Sequence, residues 1–130
     1  MATHKDKIIW IAGASSGIGR ALAVSLAKQG AKLVLSARNE EDLRALNAEL
    51  GGDHMVAPLD VTDVGALEAV SSKIIDTYGR IDRAIFMAAI YNPGELGEVD
   101  LPLIHKMLDV NLKGAFNFVQ TLQPVMRVQG

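Results

Sequence analysis

The sequence contains no cysteine. A disulfide framework, a thiolate zinc site and a cysteine nucleophile are therefore excluded. Neither sign of charge dominates: 13 basic residues against 15 acidic ones leave a net charge of -2. Without basic runs the chain is poorly suited to neutralising phosphates, so no nucleic-acid partner is expected. Apolar runs such as residues 8–12 are far too short to span a bilayer, so no membrane partner is expected. The stretch from Met1 to Lys7 is polar and of mixed charge, with no signal-peptide core. That points to the cytoplasm. The three histidines, His4, His54 and His105, show no ligand spacing and read as surface or packing residues, so no metal site is expected. What remains is an ordinary globular balance, 49% hydrophobic and 22% charged, over a length that suits one domain, residues 1–130.

Strand-like and helix-like segments alternate. Residues 8–12 are continuously apolar, as in a strand buried on both faces. Residues 18–29 place Ile18, Leu22 and Leu26 on one helical stripe, with Gly30 as the stop. Residues 32–36 read as a second strand. Asn39 then caps a helix whose first turn holds Glu40, Glu41 and Asp42 and whose buried stripe is Leu43, Leu46 and Leu50. Residues 54–59 read as a third strand, followed by a helix capped by Thr62 and stopped by Gly79. Residues 83–90 contain a fourth, nearly all-apolar strand. A loop over 91–98 with Pro93, Gly94 and Gly97 follows, then a helix capped by Asp100 with Pro102 in its first turn. A last helix is expected over 111–128, bent near its end by Pro124. The pattern is α/β: a three-layer, doubly wound parallel sheet with helices on both faces.

Gly13, Gly17 and Gly19 sit between the first strand and the first helix. In that context the first glycine permits a tight turn, the second lets backbone approach a pyrophosphate, and the third lets helix and strand pack closely. Free N–H groups and the helix dipole favour phosphates there, and Ser15 and Ser16 add hydroxyl donors. A merely flexible connection is the bland alternative. The same residues match a Gly-x-Ser-x-Gly nucleophile elbow, with Ser15 as nucleophile and His105 after Asp60 or Asp82 as partners. An elbow does not require Gly19, and His105 falls in a plain helical segment. A P-loop is excluded, because no Gly-Lys-Ser/Thr follows.

Arg38 follows the second strand, where dinucleotide enzymes select their cofactor. An acid there would bind the ribose 2′-hydroxyl of NAD, whereas a guanidinium can clasp the 2′-phosphate of NADP. Ala37 and Arg38 occupy the corner and no acid precedes them, so NADP is expected in preference to NAD. The missing acid also argues against a methyltransferase. An ordinary surface arginine is the bland alternative.

Over roughly residues 7–126 the chain resembles the N-terminal portion of the short-chain dehydrogenase/reductase family. The family's Thr-Gly-x-x-x-Gly-x-Gly corresponds to Ala12-Gly13-Ala14-Ser15-Ser16-Gly17-Ile18-Gly19. Its Asp-Val segment corresponds to Asp60-Val61, its Asn-Asn-Ala-Gly to Phe86-Met87-Ala88-Ala89, and its Val-Asn to Val110-Asn111. The resemblance implies a Rossmann-type sheet, here of about four strands in the order 3-2-1-4. It implies that Gly13, Ser15, Ser16, Gly17, Ile18, Gly19, Arg38, Asp60, Val61, Ala88 and Ala89 bind the cofactor, with Asp60 at the adenine. It also implies hydride transfer between NADP(H) and a small-molecule carbonyl or alcohol. Three departures stand out: Ala12 replaces a threonine that braces the turn, and Phe86 and Met87 replace both asparagines.

Family catalysis uses Ser, Tyr, Lys and Asn, and only the asparagine, Asn111, has a counterpart. Neither Tyr78 nor Tyr91 has a lysine four residues on. The 130 residues are therefore expected to be the cofactor-binding part, inactive alone. A non-catalytic nucleotide-binding or interaction protein is the alternative, and a helix-terminal residue bonding backbone is the alternative for Asn111. An apolar fourth strand at the sheet edge points to further strands beyond Gly130. On the last helix Leu112, Ala115, Phe116, Val119, Leu122 and Met126 form one stripe, with Phe118 and Val125 outside it. In the family that helix commonly lies in a dimer interface, which implies a homo-oligomer. Trp10 and Phe116 read as core.

Overall fold

Five apolar residues without alternation suit a strand covered on both faces, and Ile8–Ala12 forms the fully buried strand β1. The computed structural model describes residues 3–91, 94–95, 97–98 and 100–130. Pro93, expected in a loop, lies outside the described residues, as do Met1 and Ala2. Strand β1 pairs in parallel with β2 (Lys32–Ser36) on one side. Beyond β2 lies β3 (Met55–Val56), and β4 (Arg83–Phe86) flanks β1 on the other side. The order β3-β2-β1-β4 is the expected 3-2-1-4.

Helices cover both faces. Ile9, Ile11, Leu33 and Leu35 pack beneath α1 (Gly17–Lys28) and α2 (Glu40–Glu49), which contribute Ala23, Leu26, Leu43 and Leu46. Trp10 and Val34 face α3 (Val64–Tyr78) and α5 (Gly114–Gln129), which contribute Leu67, Ile74, Phe118 and Leu122. The three-layer arrangement follows from strand parity: successive residues of β1 feed opposite cores. Asn39 caps α2 by accepting from the Asp42 N–H, and Asp100 caps α4 (Leu101–Leu108) by accepting from Leu103. Among the described residues no helix is long and apolar enough to cross a membrane.

Several local expectations are corrected. The third strand shrinks from 54–59 to two residues. Proline 58 interrupts the donors of that stretch, although Ala57 and Leu59 still donate to Leu35 and Ala37. In place of a longer ladder, the His54 imidazole Nδ1 accepts from the Leu33 N–H at 3.1 Å. The fourth strand ends at Phe86, because β1 turns away at Gly13 and offers Met87 its last acceptor, the Ala12 carbonyl. Asp63, not Thr62, caps α3; Thr62 gives both its N–H and its hydroxyl to Asp60. Ile18 is 71% exposed, so the buried face of α1 is Gly19, Ala23 and Leu26.

The largest correction concerns the last helix. It does not start at Asn111. Helix α4 continues through a π-helical turn, Asp109–Lys113, directly into α5, which runs past Pro124. The core-facing residues are Gly114, Phe118 and Leu122, at i, i+4 and i+8. Phe118 is buried, while Phe116 is 64% exposed and Leu112 and Val119 stand out beside it. Gly114 decides the face: a Cβ there would lie 2.7 Å from Val61 Cγ2 and 3.4 Å from the Phe86 ring, so the helix packs closely on that side. The Phe118 ring then meets Trp10 edge-on with centroids 4.8 Å apart and lies 5.7 Å from Phe86. At the far end of α5 the Gln129 amide pairs with one residue of backbone, accepting from the Ile81 N–H and donating to its carbonyl.

Candidate functional site

The three parallel strands β2, β1 and β4 end at a common edge, and the chain leaves each in a different direction. In open α/β sheets such a switch point opens a crevice. Here the crevice holds about 310 Å³. Gly13, Ser15 and Ser16 line it from the first turn. Ser36, Ala37, Arg38, Asn39 and Asp42 form one wall, Leu59, Asp60 and Val61 a second. Met87, Ala88, Ala89, Ile90 and Val110 close it with an apolar third.

The turn is built by contact. The N–H groups of Gly13 and Ala14 both donate to the Ser36 carbonyl, at 2.8 and 3.1 Å. A Cβ on Gly13 would lie 2.5 Å from the Ala88 nitrogen, so any side chain there would push away the chain that leaves the fourth strand. A Cβ on Gly19 would lie 1.9 Å from the Gly13 carbonyl oxygen. The third glycine thus lets α1 rise directly from the turn. Gly17 differs from both: its φ is +56°, and nothing lies within 4 Å of the position a Cβ would take. That glycine faces open space at the first residue of α1. Ser16 is the N-cap, yet its hydroxyl makes no capping hydrogen bond, and no acid occupies the first turn. The leading amides of α1 therefore carry their partial positive charge uncompensated by side chains.

Arg38 is exposed and makes no ion pair among the described residues. Asp60 is held below the usual carboxylate range. The Thr62 N–H donated to it is the largest cause; the Thr62 hydroxyl, Arg38 and Lys106 add to it against the opposing effect of burial. Asp60 is thus an ionised acceptor in the crevice wall. Glu40 and Glu41 are exposed and off the crevice, as expected of first-turn residues, whereas Asp42 lines it.

The structure brings Gly13, Ser15, Ser16, Arg38, Asp60, Val61, Ala88 and Ala89 to one crevice. Gly17, Ile18 and Gly19 stand beside it at the start of α1. Asn111 does not line it. Its Oδ1 accepts from the Ile90 N–H at 2.7 Å and its Nδ2 donates to the Ile90 carbonyl at 2.8 Å. The side chain is committed to backbone, inside a π-helical turn rather than at a helix N-terminus. Of the residues paired in the elbow reading, Ser15 lines the crevice but no histidine does, and His105 is exposed on α4. Sequence reasoning missed Ser36, Asp42, Met87 and Ile90 as crevice residues. Ser36 carried a signal: it is the one hydroxyl in its strand and follows directly on the apolar run 33–35.

A sequence profile of the short chain dehydrogenases matches residues 7–130. An uncharacterized oxidoreductase of Staphylococcus haemolyticus is 32% identical over all of this chain and 57% of its own length. Human dehydrogenase/reductase SDR family member 7 is 34% identical over 96% of this chain and 40% of its own. The crystal structure of a short-chain dehydrogenase/reductase, glucose/ribitol dehydrogenase, from Brucella melitensis superposes with a TM-score of 0.89 at 27% identity, over 94% of this chain and 52% of that one. The chain spans about half the length of the relatives it matches. It belongs to the short-chain dehydrogenase/reductase family.

Proposed function

We propose that this family member binds NADP in the crevice and serves an oxidoreductase that interconverts a carbonyl and an alcohol. The observation that carries the reading is Gly17: a left-handed glycine facing open space beside uncapped helix amides is shaped for close approach by a pyrophosphate. Bound there, the nicotinamide would supply or accept the hydride. The residues of this chain hold and orient. Gly17, Ile18 and the hydroxyls of Ser15 and Ser16 face the phosphates. Asp60 accepts from the adenine amine, and Val61, Ala88 and Ala89 pack against the adenosine. Asn111 acts one step removed, fixing Ile90 and so the apolar wall. The 130 residues contain no Tyr-x-x-x-Lys, and their part in the reaction is to bind the cofactor; alone they turn over no carbonyl.

Arg38 selects NADP over NAD by pairing with the 2′-phosphate. One observation favours the other cofactor: Asp42 lines the same wall and could accept from a ribose 2′-hydroxyl. Titrations of NADP and NAD against the protein, Arg38→Ala and Asp42→Asn decide between them. Charge-assisted contacts of about 1.5–3 kcal/mol correspond to roughly a ten- to hundredfold preference for NADP, lost in Arg38→Ala. Equal binding of the two cofactors, with only Asp42→Asn weakening NAD, would establish NAD instead. We further propose a homo-oligomer formed through the exposed Leu112, Phe116 and Val119 of the last helix.

A further inference from the structure

Trp10 and Ser36 lie outside the glycine turn, yet they meet in the core beneath it. Both are fully buried. Their strands pair so that Ala12 stands beside Ser36 and Trp10 beside Val34. Residues 10 and 36 therefore project to the same face, and the indole Nε1–H donates to the Ser36 Oγ at 2.9 Å. A buried indole N–H needs an acceptor, and a buried hydroxyl needs a partner. Each meets the other's need. The indole is itself fixed by the Phe118 ring packed edge-on against it.

Ser36 is also the residue whose carbonyl receives the N–H groups of Gly13 and Ala14. A carbonyl has two lone pairs, and the turn uses both. The position where the family carries a bracing threonine is Ala12, which has no hydroxyl. We infer that Trp10 is a positioning residue for the phosphate-binding turn: its hydrogen bond locks Ser36, and the Ser36 carbonyl in turn holds the first two amides of the turn. This rests on the reading of the crevice as a cofactor site. Without this bond, whichever partner is removed, the end of β2 is no longer tied to the fixed indole and the Ser36 carbonyl is free to shift. The brace acts on the part of the cofactor that NAD and NADP share.

Trp10→Phe keeps an aromatic ring against Phe118 and removes the donor; Ser36→Ala removes the acceptor; Ser36→Thr keeps the hydroxyl. Amide hydrogen exchange is followed residue by residue, beside titrations of NADP and NAD. In Trp10→Phe and Ser36→Ala, exchange at Gly13 and Ala14 should accelerate roughly tenfold relative to amides within β1. Both cofactors should weaken by a similar roughly tenfold factor, leaving the NADP/NAD ratio unchanged. The double variant should match either single one, and Ser36→Thr should behave as the parent. If Trp10→Phe does not fold, the two Ser36 variants carry the test. Unchanged protection at Gly13 and Ala14, or a uniform loss across the whole sheet, would overturn the inference. If the parent protein binds neither cofactor, the functional reading fails, while the exchange pattern still decides the brace.

Discussion

Substituting Gly17 by alanine separates what the turn needs to fold from what it needs to bind. Gly17 has φ +56° and open space where a Cβ would go. No neighbour has to move, so the folding cost is the left-handed backbone alone, about 1–2 kcal/mol for an alanine. In a chain of this size that lowers Tm by roughly 5 °C. The methyl group, however, enters the space into which a pyrophosphate would settle. Losing one or two charge-assisted backbone contacts costs about 1.5–3 kcal/mol, roughly a ten- to hundredfold weaker NADP affinity. Gly79 supplies the control. It is also left-handed, with φ +80° and open space, but it ends α3 ahead of β4, at the other end of the parallel strands from the glycine turn. Gly79→Ala should lose the same few degrees and leave NADP affinity unchanged. Calorimetric titration with thermal melts on both variants completes the comparison. If Gly17→Ala binds NADP as tightly as the parent, the phosphate is not where the turn puts it.

Acid should loosen the β3 side of the sheet. The His54 Nδ1 must be unprotonated to accept from Leu33. Burial first, and then the Lys32 charge, hold its pKa below the ordinary 6.5, against Asp53 and the Leu50 carbonyl. The unfolded chain therefore binds more protons between the folded value and 6.5. The contribution of His54 to stability is complete above about pH 6.5 and declines as pH falls below it. Urea midpoints at pH 5 and 7.5 should differ less in His54→Asn, which keeps an acceptor that cannot titrate; the same difference in parent and variant would refute the assignment. On the last helix, Phe116→Glu should convert an oligomer to a monomer in sedimentation equilibrium without lowering Tm, because Phe116 is mostly exposed. A parent protein that sediments as a monomer would rule out that interface.

The glycine turn was legible because each of its three glycines answers a local demand that only glycine meets. The parallel sheet followed from the alternation of elements and its strand order from the family resemblance, Asn39 from its place ahead of an apolar stripe and Asp100 from Pro102 just after it. The rest depended on partners distant in sequence. Asp60-Val61-Thr62-Asp63 offers two caps one residue apart, and Asp60 decides by taking both Thr62 donors. The last helix carries two overlapping apolar stripes that share Leu122. Gly114 against Val61 and Phe118 against Trp10 choose between them, and no helical periodicity contains either contact. Ser36 and Asp42 are crevice residues only because β2 and α2 flank the turn. Phe86 stands where the resemblance implies an asparagine, and its ring lies beside Phe118, a partner distant in sequence.

The two amide side chains that grip Ile90 and Ile81 have a consequence for chain length. Asn111 and Gln129 each engage one residue by both its N–H and its carbonyl, and the helix between them is about 27 Å long. One residue inserted inside that interval would turn Gln129 through about 100° and carry it about 1.5 Å onward. The two grips could not then both be kept while Phe118 stayed beside Trp10. Across homologous chains, the count from Asn111 to Gln129 should therefore stay fixed.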